Sequence, residues 1–161
     1  MNTVLLKRFY LQGGNMMALF GNLVQGALGN YSEKTPEQLQ KEYGDYLFDN
    51  ETITMGYQLI RDALVFTTHR IIFIDKQGAT GKKTAFRSIH LDSIIDVDME
   101  TAGLGLDDSQ LTVTYLANVN QRSNNEVHQT HLFEFPKKTD ILPVYRYLGS
   151  ISIANRERIN K

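Results

Sequence analysis

The chain has no cysteine among its 161 residues. Disulfide staples, thiolate metal sites and a cysteine nucleophile are therefore excluded, and the redox compartment is left unmarked. Proline occurs only three times. Pro36 suits the first turn of a helix, Pro136 ends a strand because it cannot donate to a ladder, and Pro143 fits only the start of another helix. There is little net charge: seventeen Lys and Arg against eighteen Asp and Glu leave −1. No basic field supports nucleic-acid binding, and adhesion to an anionic membrane would need a local patch. No apolar run reaches the ~18–20 residues of a membrane span. Lys7 and Arg8 precede an apolar stretch, but Gly13, Gly14 and Asn15 interrupt it and no clear cleavage site follows. The expectation is a cytoplasmic protein. Internal repeats and low-complexity tracts are also missing.

The organising stretch is 51–101. Ile53, Met55, Tyr57 and Leu59 alternate with Thr52, Thr54, Gly56 and Gln58, the period of a strand with one buried face. Arg61-Asp62 breaks the run as a tight turn. Two short strands rich in β-branched and aromatic residues follow, ALVFTT and RIIFID. Lys76-Gln77-Gly78 opens a polar loop, Thr84 to Ser88 resumes an extended pattern, and Ile95, Val97 and Met99 alternate with acids. Asp96, Asp98 and Glu100 share a face with Ile94 on this reading. Gln110–Leu116 and His128–Phe135 are two further strands, the first with Leu111, Val113 and Tyr115 inward, the second with His131, Phe133 and Phe135 on one face.

Helices flank this antiparallel meander. Met16, Leu19, Phe20, Leu23, Val24, Ala27 and Leu28 fall at three-and-four spacing over 15–28. Thr35-Pro36-Glu37-Gln38 reads as a capping box that starts a helix ending near Gly44 to Leu47, with Leu39 and Tyr43 on its apolar edge. A last helix runs from Asp140 to about Asn155, striped by Ile141, Tyr145, Leu148 and Ser152 with Val144 and Ile151 beside it, and the tail RERINK frays. The expected architecture is mainly β with helices (α+β): seven antiparallel strands bent into a sandwich or half-open barrel, one open end plugged by the C-terminal helix. Its size permits a core without metal or disulfide. The expected division is an N-terminal extension with an apolar helix over 1–30 and the β domain over 31–161.

The run GYQLIRDALVFTTHRIIFIDKQGATGKK with SIHLDSIIDVDMETAG closely resembles a bacterial family of pleckstrin-homology-like (PH) domains, formerly classed as a domain of unknown function. Its most specific pieces are Ile60-Arg61-Asp62, Phe66-Thr67, Arg70, Asp75-Lys76-Gln77-Gly78, Gly81-Lys82-Lys83 and Glu100-Thr101-Ala102-Gly103. The resemblance covers about 47–148. It implies two near-orthogonal antiparallel sheets of four and three strands with a C-terminal capping helix. It also implies assembly into closed cyclic rings, and it attaches no catalytic activity. Eukaryotic relatives hold inositol phosphates in a basic loop between the first two strands. That connection is here Arg61-Asp62, one cation and one anion, too short for a cradle.

Residue patterns that carry chemistry are weak. Gly78-Ala79-Thr80-Gly81-Lys82-Lys83-Thr84 imitates a phosphate loop, but Lys76 stands where the first glycine is required and strand residues follow. His128 and His131, three apart on a strand, point to opposite faces and cannot share a metal simply. Asp96, Asp98 and Glu100 read better as an edge that resists aggregation than as a cation site. No pattern places a serine, histidine and aspartate together. The expectation is a non-enzymatic interaction or scaffold domain that needs no cofactor and binds no metal or nucleic acid. Its first partner is itself, as a cyclic homo-oligomer, with Leu19, Phe20, Leu23, Arg61, Asp62, Leu104 and Leu106 as self-association candidates. Another protein is a further partner. The alternative is a peripheral lipid- or membrane-binding domain that uses Lys76, Lys82, Lys83 and Arg87 against an anionic headgroup.

Overall fold

A computed structural model describes residues 34–59, 62–77, 83–103, 108–122 and 124–161. The expected N-terminal helix, the 1–30 extension, and Leu19, Phe20, Leu23, Arg61, Lys82, Leu104 and Leu106 lie outside them. Helix α1 (Pro36–Tyr43) leads through a 3-10 turn (Gly44–Tyr46) into β1 (Ile53–Gln58), β2 (Ala63–Thr67), β3 (Arg70–Gln77) and β4 (Lys83–His90). A second 3-10 turn (Leu91–Ser93) leads to β5 (Ile94–Glu100), β6 (Ser109–Leu116) and β7 (His128–Phe135), and helix α2 (Leu142–Ile159) closes the chain. Strands β1 to β4 form one antiparallel sheet in sequence order and β5 to β7 form another. The seven strands and the C-terminal helix are those the residue pattern predicts, and the sheets of four and three are those the resemblance implies.

The four-stranded sheet is buried on both faces over most of the length of β1 to β3. Its inner face gives Met55, Tyr57, Leu64, Phe66, Ile71 and Ile89 to a core shared with Leu111, Val113, Phe133 and Phe135 of the other sheet and Val144, Tyr147, Leu148 and Ile151 of α2. Its outer face gives Ile53, Ala63, Val65, Ile72 and Ile74 to a second core closed by Leu39 and Tyr43 of α1. This is why ALVF and RIIFI run apolar without alternating: both sides of β2 and β3 leave water. Helix α1 begins as the sequence predicts, with the Thr35 hydroxyl accepting from the Gln38 amide at 3.3 Å and the Gln38 side chain accepting from the Thr35 amide at 3.0 Å. It lies so close to the sheet that a Cβ on Gly56 would stand 2.8 and 2.9 Å from the Leu39 methyls and 3.0 Å from the Leu64 carbonyl oxygen.

Two register shifts overturn strict alternation. One between Ile53 and Met55 turns Ile53 away from Met55 and Tyr57 into the outer core. The other, between Ile94 and Asp96, sends Ile94 inward, opposite Tyr115, so it does not share a face with the acids. An extra residue on one strand of a pair reverses the face of everything beyond it. The loop expected from Lys76 also begins later, since β3 runs to Gln77. The tail is no frayed end. Helix α2 continues to Ile159 because β5 and its approach hold it: Asn155 donates to the carbonyls of Leu91 (2.7 Å) and Ile94 (2.8 Å), Arg156 to that of Ile95 (2.6 Å), and Arg158 to that of Asp92 (2.7 Å).

Candidate functional site: an aromatic patch over a buried ion pair

On the outer face of the four-stranded sheet, beside the second core, lies a buried charge pair. Arg70 and Glu51 have side chains only 5% and 2% exposed. The guanidinium donates from Nε to Glu51 Oε1 at 2.8 Å and from Nη2 to Oε2 at 2.9 Å, a two-pronged contact. Its other N–H groups reach Ser88 Oγ (2.6 Å) and the Tyr46 carbonyl (3.0 Å). Glu51 also accepts from the Thr67 hydroxyl at 2.6 Å and the Phe48 amide at 2.9 Å. Burial alone would raise the Glu51 pKa. The hydrogen bonds from Arg70, Thr67 and Phe48, with the Arg70 charge, outweigh it and bring the carboxyl down to about 2.

The loop 44–51 carries two rings beside this pair, Tyr46 and Phe48, and Phe86 of β4 joins them. Phe48 lies on the Arg70 guanidinium, 3.7 Å from ring centre to cation. The turn that holds it there is closed by the Glu51 amide on the Phe48 carbonyl (3.2 Å) and passes through Asn50 at φ 63°, a left-handed conformation that asparagine accepts. Tyr46 stacks on Phe86 of β4 with centroids 4.1 Å apart. Yet Phe48 is 63% exposed, Tyr46 49% and Phe86 38%. Rings held in place while open to water are the composition of a recognition surface. The sequence signals for it are quiet: Phe48 carries no pattern, and Phe86 is one residue of the extended stretch from Thr84 to Ser88.

The other predicted site residues are dispersed. Asp62 serves its own chain: its backbone carbonyl accepts from the Leu59 amide (2.8 Å) and the Gln58 side chain (2.7 Å), and its carboxylate accepts from the Lys76 amide (3.1 Å). Lys76, Lys83 and Arg87 do not form one patch. Lys76 pairs with Thr84 on the outer face, near Glu42 of α1. Lys83 and Arg87 pair with Gln77 and Phe73 and face the other way. Arg87 there adds its charge near His131, whose ring lies between Phe73 (4.7 Å) and Phe133 (4.6 Å). Burial first and Arg87 second push the His131 pKa below its ordinary value, against Asp75. Among the described residues no group of three or more metal-ligating side chains converges, and no helix is long and apolar enough to cross a membrane.

Comparisons with known proteins agree with this architecture. The family model described as "Bacterial PH domain" matches residues 22–152. The uncharacterized protein YjqA of Bacillus subtilis (strain 168) is 42% identical over 90 residues, 56% of this chain and 72% of that protein. A pleckstrin homology domain from Shewanella amazonensis superposes with a TM-score of 0.61 at 31% identity, covering 80% of this chain and 97% of the other. A DUF1696 family protein with a pleckstrin-homology domain from Shewanella loihica gives 0.57 at 32% identity, covering 77% and 98%. A PH domain-containing protein of Exiguobacterium sibiricum shares the fold, with a TM-score of 0.58 at 20% identity over 78% of this chain and 63% of that one. With the family model spanning most of the chain, and two sheets closed by a terminal helix, the chain belongs to the bacterial PH domain family.

Proposed function

We propose that the chain is a non-enzymatic interaction module that works as an assembly of copies of itself, arranged head to tail around a closed ring. The observation that supports this most is the patch of Phe48, Tyr46 and Phe86. Among the described residues every other Phe and Tyr is buried or half-buried, and covering these three against a neighbour would remove further apolar surface from water. A heterologous contact closes into a ring when its rotation closes. Light scattering on a sizing column tests the assembly: the expected mass at micromolar concentration is a multiple of 18.4 kDa. A single chain throughout would refute it.

Attachment to anionic lipid is the rival reading. It draws on Lys83 and Arg87 without Lys76, which faces elsewhere. Co-sedimentation with phosphatidylserine vesicles at low salt separates the two, since surface cations bind such vesicles only when weakly screened. The expected result is no sedimentation with the vesicles.

A further inference from the structure

Four strands lie at sheet edges, and two of them are engaged. The β1 carbonyl of Gly56 accepts from the Lys34 amide at 3.3 Å, and the β5 carbonyls of Ile94 and Ile95 accept from Asn155 and Arg156. Among the described residues nothing comparable reaches β4 over 83–89 on the side away from β3. Its residues Lys83, Thr84, Phe86, Arg87, Ser88 and His90 are all exposed. The register divides them in two. Lys83, Ala85 and Arg87 share one face, and Thr84, Phe86 and Ser88 share the other, where Phe86 stacks on Tyr46. The strand carries Lys83, Arg87 and His90 and no carboxylate. Asp75, across from Ala85 on the first face, accepts from the Gln77 side-chain amide at 3.1 Å.

We infer that the edge of β4 away from β3 takes an extended segment of a partner protein in which acidic and apolar residues alternate. Backbone pairing to an open edge supplies affinity without sequence, and the two faces supply selection. Residues opposite Lys83 and Arg87 must be acidic, and those between them, beside Phe86, apolar. Lysine and arginine on an edge strand also discourage pairing with neutral strands, so the same charges that guard the edge choose an acidic guest. This inference goes beyond self-assembly, and the two readings share Phe86.

The test uses the full chain and a fluorescein-labelled peptide of about seven residues alternating Glu and Val, followed by anisotropy at low salt. Saturable binding with a midpoint of roughly 10–100 µM is expected. The Lys-and-Val peptide should not bind. N-methylation of the Glu-and-Val peptide on the amides of one edge should abolish binding. R87E, shown folded by circular dichroism, should weaken the Glu-and-Val peptide by about tenfold or more and admit the Lys-and-Val one. Failure of the peptide to bind, or binding indifferent to N-methylation, overturns the inference. So does loss of an oligomer in Ala85→Pro without peptide binding by the wild type, which would give the edge to a second copy. Light scattering on the same samples keeps the readings apart, since a monomer that binds the peptide defeats self-assembly alone.

Discussion

At the scale of single residues, the fold depends on what each side chain leaves room for or leaves unpaired. Gly56 is where helix and sheet approach most closely. Gly56→Ala is expected to destabilise by about 1–3 kcal/mol, because the Leu39 methyls and the fixed Leu64 carbonyl cannot all retreat. Thermal melting checks it, and an unchanged Tm would show that α1 shifts freely. Glu51→Gln should cost about 3 kcal/mol at neutral pH by leaving Arg70 buried without its partner. Because folding lowers the Glu51 pKa, its contribution is complete above the ordinary carboxylate range and is lost as pH falls from about 4.5 towards 2. Urea midpoints over that range should fall more steeply for the wild type than for Glu51→Gln. His131 acts in a higher window. Its pKa is also lowered by folding, so the native state resists the proton and stability should fall as pH drops through the ordinary histidine value of about 6.5. His131→Phe, facing Phe73, Phe133, Arg87 and Asp75, should flatten that slope between pH 7 and 5.

At the scale of elements, α2 is the closing piece and has room to improve. A Cβ on Gly149 would meet Val97 Cγ1 at 3.7 Å, an ordinary contact. Gly149→Ala should therefore raise stability by about 0.5–1 kcal/mol through helix propensity, read as a higher urea midpoint. This scale also shows how far the sequence could be read. The number of strands and the capping box are local chemistry, whereas the division into sheets of four and three is what the family resemblance implies. The bulges at Ile53 and Ile94 are not local, since the partner strand sets them and a period-two pattern hides a single inserted residue. The α2 tail looked like a charged end because its arginines find carbonyls some 60 residues away in sequence. The aromatic patch was hidden for the same reason. Tyr46 and Phe48 share one loop, Arg70 and Phe86 lie on β3 and β4, and the pairing of those strands together with the docking of the loop on Arg70 brings them together.

At the scale of the whole molecule, a sheet with a core on each side leaves few surfaces open for work. Among the described residues, helix α1 covers part of its outer face, the second sheet and α2 cover its inner face, and the aromatic patch and the β4 edge are exposed on it. The most direct measurement is sedimentation velocity, from about 1 to 50 µM, on the wild type and on the Phe48→Ser/Phe86→Ser double variant, with circular dichroism to show that both are folded. An oligomeric wild type and a folded, single-chain variant are expected. A monomeric wild type, or a variant whose assembly is untouched, would contradict the role assigned to the patch.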